Sequence, residues 1–302
     1  MSRVYFFTSN CCVMKKKIIA IVCLFVFYNT HAQNNIVVFQ TDFGNKDGAV
    51  SAMKGVAMGI DPQLKLYDLT HDIPAYNIWE AAYRLDQTVP YWPAGTVFVS
   101  VVDPGVGTSR RSVVVKTKTG HFIVSPDNGT LTLIAASLGI DSIREIDEKM
   151  NRRENSEASY TFHGRDLYAY TAARLASHTI SFDQVGPMSS NPIVSLPYQK
   201  ASIHDGMLKG NIDILDIQYG NIWTNIDPSY WEAFKSIPHS KNTIKVQVYH
   251  LQKLVYTGSM PFENTFGAVA PGKPLAYLNS LMHFSLALNQ SNMAKIFHIS
   301  SG

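Results

Sequence analysis

The sequence predicts an N-terminal α/β domain with a mainly parallel sheet, followed by a small all-β, barrel-like C-terminal domain. Three observations predict it. Up to about residue 186, short apolar runs alternate with longer stretches of helical spacing, the pattern of βα units. The first and third runs, at 36–39 and 97–102, are almost continuously apolar, as in strands covered on both faces. Beyond about residue 200 the texture changes to many short strand-like runs separated by Gly and Asn turns.

Taken in order, strands are expected at 36–39, 64–69, 97–102, 112–116 and 122–124, with helices at 48–59, 78–89, 130–138 and 167–176. The stretch 189–198, rich in Pro and Ser, reads as a linker between a domain at 34–190 and one at 196–302. In the second domain strands are expected at 207–217, 222–226, 243–249, 253–257, 275–278 and 284–288, and one helix at 228–235. No internal repeat or low-complexity tract interrupts the chain.

The first 32 residues read differently. Lys15, Lys16 and Lys17 precede an apolar run at 18–28, and Ala32 supplies a small residue before Gln33. A basic segment, a short apolar run and a small-residue exit make a signal peptide, too short in its apolar part to span a bilayer comfortably. The expectation is an exported protein, periplasmic or secreted, with no membrane association after cleavage near Ala32. Met14 stands directly before the lysines and serves equally well as a start. Val22 before Cys23 is bulkier than a lipoprotein signal normally carries.

Cleavage removes Cys11, Cys12 and Cys23, which are all the cysteines of the chain, so disulfides, thiolate nucleophiles and Cys–zinc sites are excluded from the remainder. It also takes four positive charges and no negative one out of a formal net charge of +3, leaving −1. The basicity belongs to the export signal, and nothing points to a nucleic-acid partner.

Chemistry concentrates in two segments. VVDPGVGTSRR follows the apolar run at 97–102 with an acid, two turn glycines and two arginines, so a carboxylate, backbone N–H groups and a cation converge at one strand end. Open α/β sheets place their ligands there. TFHGRD, just before the helical pattern at 167–176, adds a histidine, and Asp103, Arg110 and His163 then form one polar constellation. The plainer alternative is that Asp-Pro-Gly is an ordinary turn, Arg110 and Arg111 a solvated pair, and His163 a satisfied core residue.

These segments, with QTDFG (Gln40 to Gly44), SPDNG (Ser125 to Gly129) and YGNIWTNID (Tyr219 to Asp227), occur in the order found in the S-adenosylmethionine hydroxide adenosyltransferases. The chain resembles that family, the hydrolytic relatives of the S-adenosylmethionine-dependent fluorinase and chlorinase, from about Ile36 to about Ala294. The resemblance implies hydrolysis of S-adenosyl-L-methionine to adenosine and L-methionine, with no cofactor and no metal. It implies a homotrimer whose site lies between the N-domain of one subunit and the C-domain of its neighbour.

By the same resemblance Asp103, Arg110 and His163 are the water-binding triad, and Asp42 receives the ribose hydroxyls, with Asp47 assisting from the same loop. Tyr76 lies against the nucleoside. Asp216 takes the methionine ammonium, Asn221 an adenine edge, and Tyr219 and Trp223 pack around the base, with Phe266 and Ser280 further contacts. Both Asp42 and Asp47 also fit a turn or helix-cap role. The chain departs from the family at Leu281-Met282-His283, where relatives carry glycine and, in the halogenases, arginine.

The chemistry is consistent with those residue types. A sulfonium is already an excellent leaving group, so holding one water in line with the C5′–S bond supplies much of the rate. A carboxylate accepts from that water while Arg and His stabilise developing hydroxide character. Halogenation needs a dry, neutral pocket, and the halogenating relatives have tyrosine at the aspartate position and lack the histidine. Three alternatives remain: a chlorinase-like halogenase, a non-catalytic nucleoside-binding protein, and a metal-dependent hydrolase gathering Asp42, Asp72, Asp103 and His71, for which no HxH or HxxxH spacing exists.

Overall fold

In a computed structural model, residues 34–236 and 243–301 are described. The predicted signal segment, 1–32, lies outside the described residues.

Chain order runs β1 (Ile36–Thr41), α1 (Ala49–Ile60), β2 (Lys65–Thr70), α2 (Ile78–Thr88), β3 (Val97–Val101), β4 (Ser112–Thr117), β5 (Phe122–Pro126), α3 (Thr132–Ser137) and β6 (Ile140–Glu145). After α4 (Glu148–Asn151), a π-helical turn at Gly164–Ala169 leads into α5 (Tyr170–Ala176). The six strands form one sheet in the order β2-β1-β3-β5-β4-β6. The β1–β2, β1–β3 and β3–β5 pairs are parallel, and β4 runs antiparallel to both β5 and β6. The mainly parallel expectation therefore holds, with an antiparallel edge.

All five residues of β3 are buried, and so are the last five of β1. Alternate residues feed opposite cores because successive side chains of a strand point to opposite faces. Val37 and Phe39 pack with Met53 and Ala57 of α1 and with Ala172 and Ala176 of α5. Val38 and Phe98 pack with Leu85 of α2 and Ile134 of α3. The chain thus leaves β1 towards β2 on one face and returns to β3, on the other side of β1, across the opposite face. This makes the C-terminal ends of β1 and β3 the switch point where an open α/β sheet leaves a crevice.

The linker expected at 189–198 is held against the end of β5 and the start of α3. Ile193 is buried, Val194 N donates to Asp127 Oδ1 at 2.8 Å, and Leu196 N donates to Thr132 Oγ1 at 2.9 Å. Beyond it come β7 (Ser202–His204), β8 (Met207–Lys209), β9 (Ile212–Leu215), β10 (Ile222–Thr224), α6 (Pro228–Lys235), β11 (Thr243–His250), β12 (Lys253–Pro261), β13 (Pro274–Leu278), β14 (Phe284–Leu288) and α7 (Met293–Phe297). They form an antiparallel sheet, β13-β14-β10-β9, and two two-stranded sheets, β11-β12 and β7-β8. The strand expected at 207–217 is two strands, β8 and β9, broken at Gly210, where a Cβ would lie 2.4 Å from Ile226 Cγ1. Trp79 of α2 joins the two parts of the chain, its Nε1 donating to Asp213 O of β9 at 2.8 Å.

Candidate active site

Asp42 directly follows β1, and Asp103 stands two residues beyond β3, so both acids occupy the switch point. DPGVGTSRR doubles back on itself. Val106 N donates to Asp103 O at 3.3 Å, Thr108 Oγ1 donates to Gly105 O at 2.7 Å, and Gly107 takes φ +79, which an L side chain rarely adopts. The return brings Arg110 Nη2 to 2.6 Å from Asp103 Oδ2. Arg110 Nη1 donates to the Tyr168 hydroxyl at 2.8 Å and to Arg111 O at 2.9 Å, and Tyr168 OH lies 3.0 Å from Ser112 Oγ.

The two arginines have different partners. Arg111 is paired with Asp127 and Glu145 and donates from Nη1 to Ser189 Oγ at 2.8 Å and from Nη2 to Pro192 O at 2.6 Å, tying down the linker. In SPDNG, Asn128 Nδ2 donates to Val102 O at 2.8 Å, which fixes the backbone next to Asp103. That motif braces the strand end.

The FHGRD segment divides in the same way. Asp166, 1% exposed, accepts from Arg153 Nε at 2.8 Å and from Arg165 Nε and Nη2 at 2.8 and 2.7 Å. Phe162 O accepts from both Arg165 N and Asp166 N, at 3.2 and 3.1 Å. This braced π-helical turn leaves the preceding His163 facing a cavity, its ring edge-on to Tyr160 and Tyr168 at centroid distances of 5.9 and 6.3 Å. Gly164 lets Phe43 approach closely, since a Cβ there would lie 3.1 Å from Phe43 Cε2 and the ring would have to give way by a few tenths of an ångström.

The cavity measures about 230 Å³, and Asp42, Phe43, Tyr76, Asp103, Phe162 and His163 are among its lining residues. Asp103 Oδ1 and both ring nitrogens of His163 are buried with no partner among the described residues. Buried polar atoms are almost always satisfied, so three orphans on one small cavity mark a place where a polar molecule belongs. Burial pushes the Asp103 carboxyl up, against the lowering effect of the Arg110 guanidinium, and nearby Asp42 raises it further. Burial, then Arg152, holds the His163 imidazole below its usual range, so the ring is neutral at pH 7.

The remaining predicted residues fall into separate groups. Asp42 Oδ2 accepts from Tyr76 N at 2.9 Å, which joins two walls of the cavity, with Tyr76 at φ +68 and its side chain exposed. Asp47 Oδ1 accepts from Ala49 N at 2.9 Å at the start of α1 and does not line the cavity. Asp216 organises the β9–β10 turn, accepting from Gln218 N, Tyr219 N and Asn221 Nδ2 at 3.0, 3.1 and 3.3 Å. Trp223 Nε1 donates to Tyr277 OH at 3.2 Å, and the Phe266 ring packs tilted against Tyr277 at a centroid distance of 4.9 Å. Asp216, Asn221, Trp223 and Phe266 therefore form one cluster centred on Tyr277, while Tyr219 is exposed. Ser280 lines a different cavity, of about 510 Å³, with Asp72, Glu80, Arg84 and Ile217.

All residues lining the Asp103 cavity precede residue 165. At about 230 Å³ it is smaller than the roughly 300–1,000 Å³ that encloses a drug-sized ligand. His71, considered above as a metal ligand, has both nitrogens engaged, Nδ1 with Thr41 Oγ1 at 2.8 Å and Nε2 with Asp68 Oδ1 at 3.0 Å. The described residues contain no group of three or more His, Cys, Asp or Glu placed to hold a metal ion.

Sequence reasoning missed Tyr168 and Tyr277, each of which holds candidate residues through its hydroxyl. Burial pushes both phenols up to about 12, so each is a neutral hydrogen-bonding group at pH 7. Their sequence signal is weak: Tyr168 sits in a helical apolar pattern and Tyr277 in a strand, where both read as core.

The fold and this pair of acid-bearing strand ends define an α/β protein with a buried polar cavity at its switch point. The model of the SAM hydroxide adenosyltransferase N-terminal domain matches residues 37–186, and that of the C-terminal domain matches 210–302. The chain belongs to the SAM hydroxide adenosyltransferase family.

It is 32% identical to an (R)-S-adenosyl-L-methionine hydrolase of Salinispora tropica, over 88% of this chain and 95% of that one. It is 43% identical to an (R)-S-adenosyl-L-methionine hydrolase of Methanocaldococcus jannaschii over a shorter region, 47% of this chain and about half (53%) of that protein. A fluorinase of Actinoplanes sp. is 27% identical over 89% of this chain and 96% of its own. Among solved structures, an uncharacterized conserved protein from Thermotoga maritima superposes with a TM-score of 0.79 at 31% identity, covering 88% of this chain and 97% of that one.

Proposed function

We propose that this chain hydrolyses S-adenosyl-L-methionine to adenosine and L-methionine, by attack of a water held by Asp103, Arg110 and His163 on the C5′ carbon. The carrying observation is the set of orphaned buried atoms, Asp103 Oδ1 and both His163 nitrogens, on the cavity beneath Asp42. As the water oxygen bonds to C5′, the C5′–S bond breaks and its electron pair passes to sulfur, giving a neutral thioether and adenosine. One proton is released per turnover. Asp103 accepts a hydrogen bond from the attacking water, Arg110 fixes the carboxylate, and the neutral His163 completes the water's orientation.

Asp42 receives the ribose hydroxyls, and Tyr76 covers the nucleoside. The cluster of Asp216, Asn221, Trp223 and Phe266 carries groups suited to an ammonium, a base edge and a ring face. It stands apart from the Asp103 cavity, which supports completion of the site by the C-terminal part of a second copy in a homotrimer. A halogenase reading is disfavoured by the unpartnered oxygen of Asp103, because a carboxylate on the nucleophile's cavity repels a halide.

The N-terminal segment supports export, with a chain beginning near Gln33. Mass spectrometry of the protein from the periplasmic or secreted fraction is expected to give that N-terminus. An intact N-terminus on cytosolic protein contradicts it.

A sulfonium needs no Lewis acid, so purified protein incubated with S-adenosyl-L-methionine and a chelator is expected to yield adenosine and methionine in equal amounts by chromatography. Activity abolished by EDTA and restored by one divalent ion overturns the mechanism. Retained nucleoside binding without turnover identifies a binding protein instead.

A further inference from the structure

A chain of hydrogen bonds outside the cavity ends at the backbone N–H groups of Phe43 and Gly44, the two residues after Asp42. Lys54 Nζ on α1 donates to Asp68 Oδ2 at 2.6 Å, and Asp68 Oδ1 lies 3.0 Å from His71 Nε2. His71 Nδ1 lies 2.8 Å from Thr41 Oγ1, which accepts from Phe43 N at 3.2 Å. His71 O accepts from Gly44 N at 2.8 Å. Thr41 is fully buried and His71 is 2% exposed, so neither takes part in contacts with solvent or substrate.

The proton positions follow from the partners. Burial works against an ionised Asp68, but the hydrogen bonds from Lys54 and His71 outweigh it and hold the carboxyl below its usual range. A carboxylate only accepts, so the Nε2 proton of His71 is committed to Asp68, and in the neutral imidazole Nδ1 is left to accept the Thr41 hydroxyl. Thr41 Oγ1 is then oriented to receive the Phe43 N–H. Each member satisfies the next in one direction, as in other polar networks that fix a single arrangement.

Local backbone irregularity supports a dedicated arrangement. The β1–β2 register shifts between Phe39 and Gln40, whose partners are Asp68 and Thr70. Bulges of this kind re-aim side chains next to functional sites. The segment after His71 also supplies Tyr76, whose N–H donates to Asp42 Oδ2, so the His71 loop holds both the backbone just after Asp42, at Gly44, and the Asp42 carboxylate. Each carboxylate oxygen has two lone pairs, so this contact leaves both oxygens able to accept from a diol.

We propose that Asp68, His71 and Thr41 form a positioning relay that holds the Asp42 carboxylate in the orientation needed to receive both hydroxyls of a vicinal diol, and thereby sets the site's preference for an intact ribose. This rests on the reading of Asp42 as the ribose acceptor. None of the three relay residues touches substrate.

The test compares dissociation constants of adenosine and 2′,3′-dideoxyadenosine by calorimetry on the whole protein. Wild type is expected to prefer adenosine by about tenfold or more, since two hydrogen bonds to a carboxylate are at stake. Thr41→Val, nearly the same size without the hydroxyl, is expected to lose most of that preference while its affinity for dideoxyadenosine changes little, and Thr41→Ser to retain it. Asp68→Ala, at the half-exposed end of the relay, is expected to weaken the preference and serves as the test if Thr41→Val does not fold. A folded Thr41→Val or Asp68→Ala protein with the full wild-type preference overturns the relay and leaves the role of Asp42 standing. If wild type and Asp42→Ala discriminate equally, the role of Asp42 fails and the relay with it.

Discussion

Asp103→Ala, Arg110→Ala and His163→Ala are each expected to lower turnover by about 10²-fold or more, the usual cost of removing a preorganised polar group, while nucleoside affinity changes far less. On the proposed mechanism Asp103 and His163 meet the water and Arg110, which does not line the cavity, acts through the Asp103 carboxylate, whereas Asp42 and Tyr76 serve the nucleoside. The pH dependence separates their parts. Burial raises the Asp103 carboxyl, and only the ionised form carries the charge that strengthens its hold on the water and can take up its proton, so activity rises with pH through a limb displaced upward from the ordinary carboxylate value. Arg110 opposes that rise, so its loss moves the limb of the residual activity to higher pH. Asp103→Asn removes the limb. The His163 pKa is lowered, so the ring is already neutral above its usual range and adds no further limb near pH 7. Full activity in Asp103→Ala removes the acid from the mechanism, and equal loss of nucleoside binding in all three makes them structural.

Subunit mixing gives the second large effect. If Asp103 of one subunit and Asp216 of its neighbour complete one pocket, two inactive proteins, Asp103→Ala and Asp216→Ala, regenerate intact pockets after exchange. In a ring of heterologous interfaces at equal mixing, about one pocket in four receives both wild-type halves, so activity is expected to recover to about a quarter of wild type. No recovery despite verified mixed oligomers places both residues in a single-chain site.

Much of this architecture is legible in the sequence because the relevant signals are local. The almost continuously apolar β3 and the turn chemistry of DPGVG mark a buried strand followed closely by an acid. What the sequence concealed is non-local. β6 carries the polar-rich IDSIRE and is buried only in part, so it presents no apolar run, yet it completes the sheet by pairing with β4. Adjacent Arg110 and Arg111 look equivalent until the fold gives them different carboxylates, Asp103 and Asp127. Thr41 and His71 are 30 residues apart, and their hydrogen bond exists only because β1 and β2 are neighbours. Tyr168 carries its function on one hydroxyl, and the rest of the side chain is packed in the core.

The most direct test of water attack at C5′ is turnover in ¹⁸O-enriched water with chloride present, followed by mass spectrometry of the products. Water attack at C5′ gives one ¹⁸O in the 5′-hydroxyl of adenosine, none in methionine, and no 5′-chloro nucleoside. Unlabelled adenosine, label in methionine alone, or a chlorinated nucleoside as the main product contradicts it.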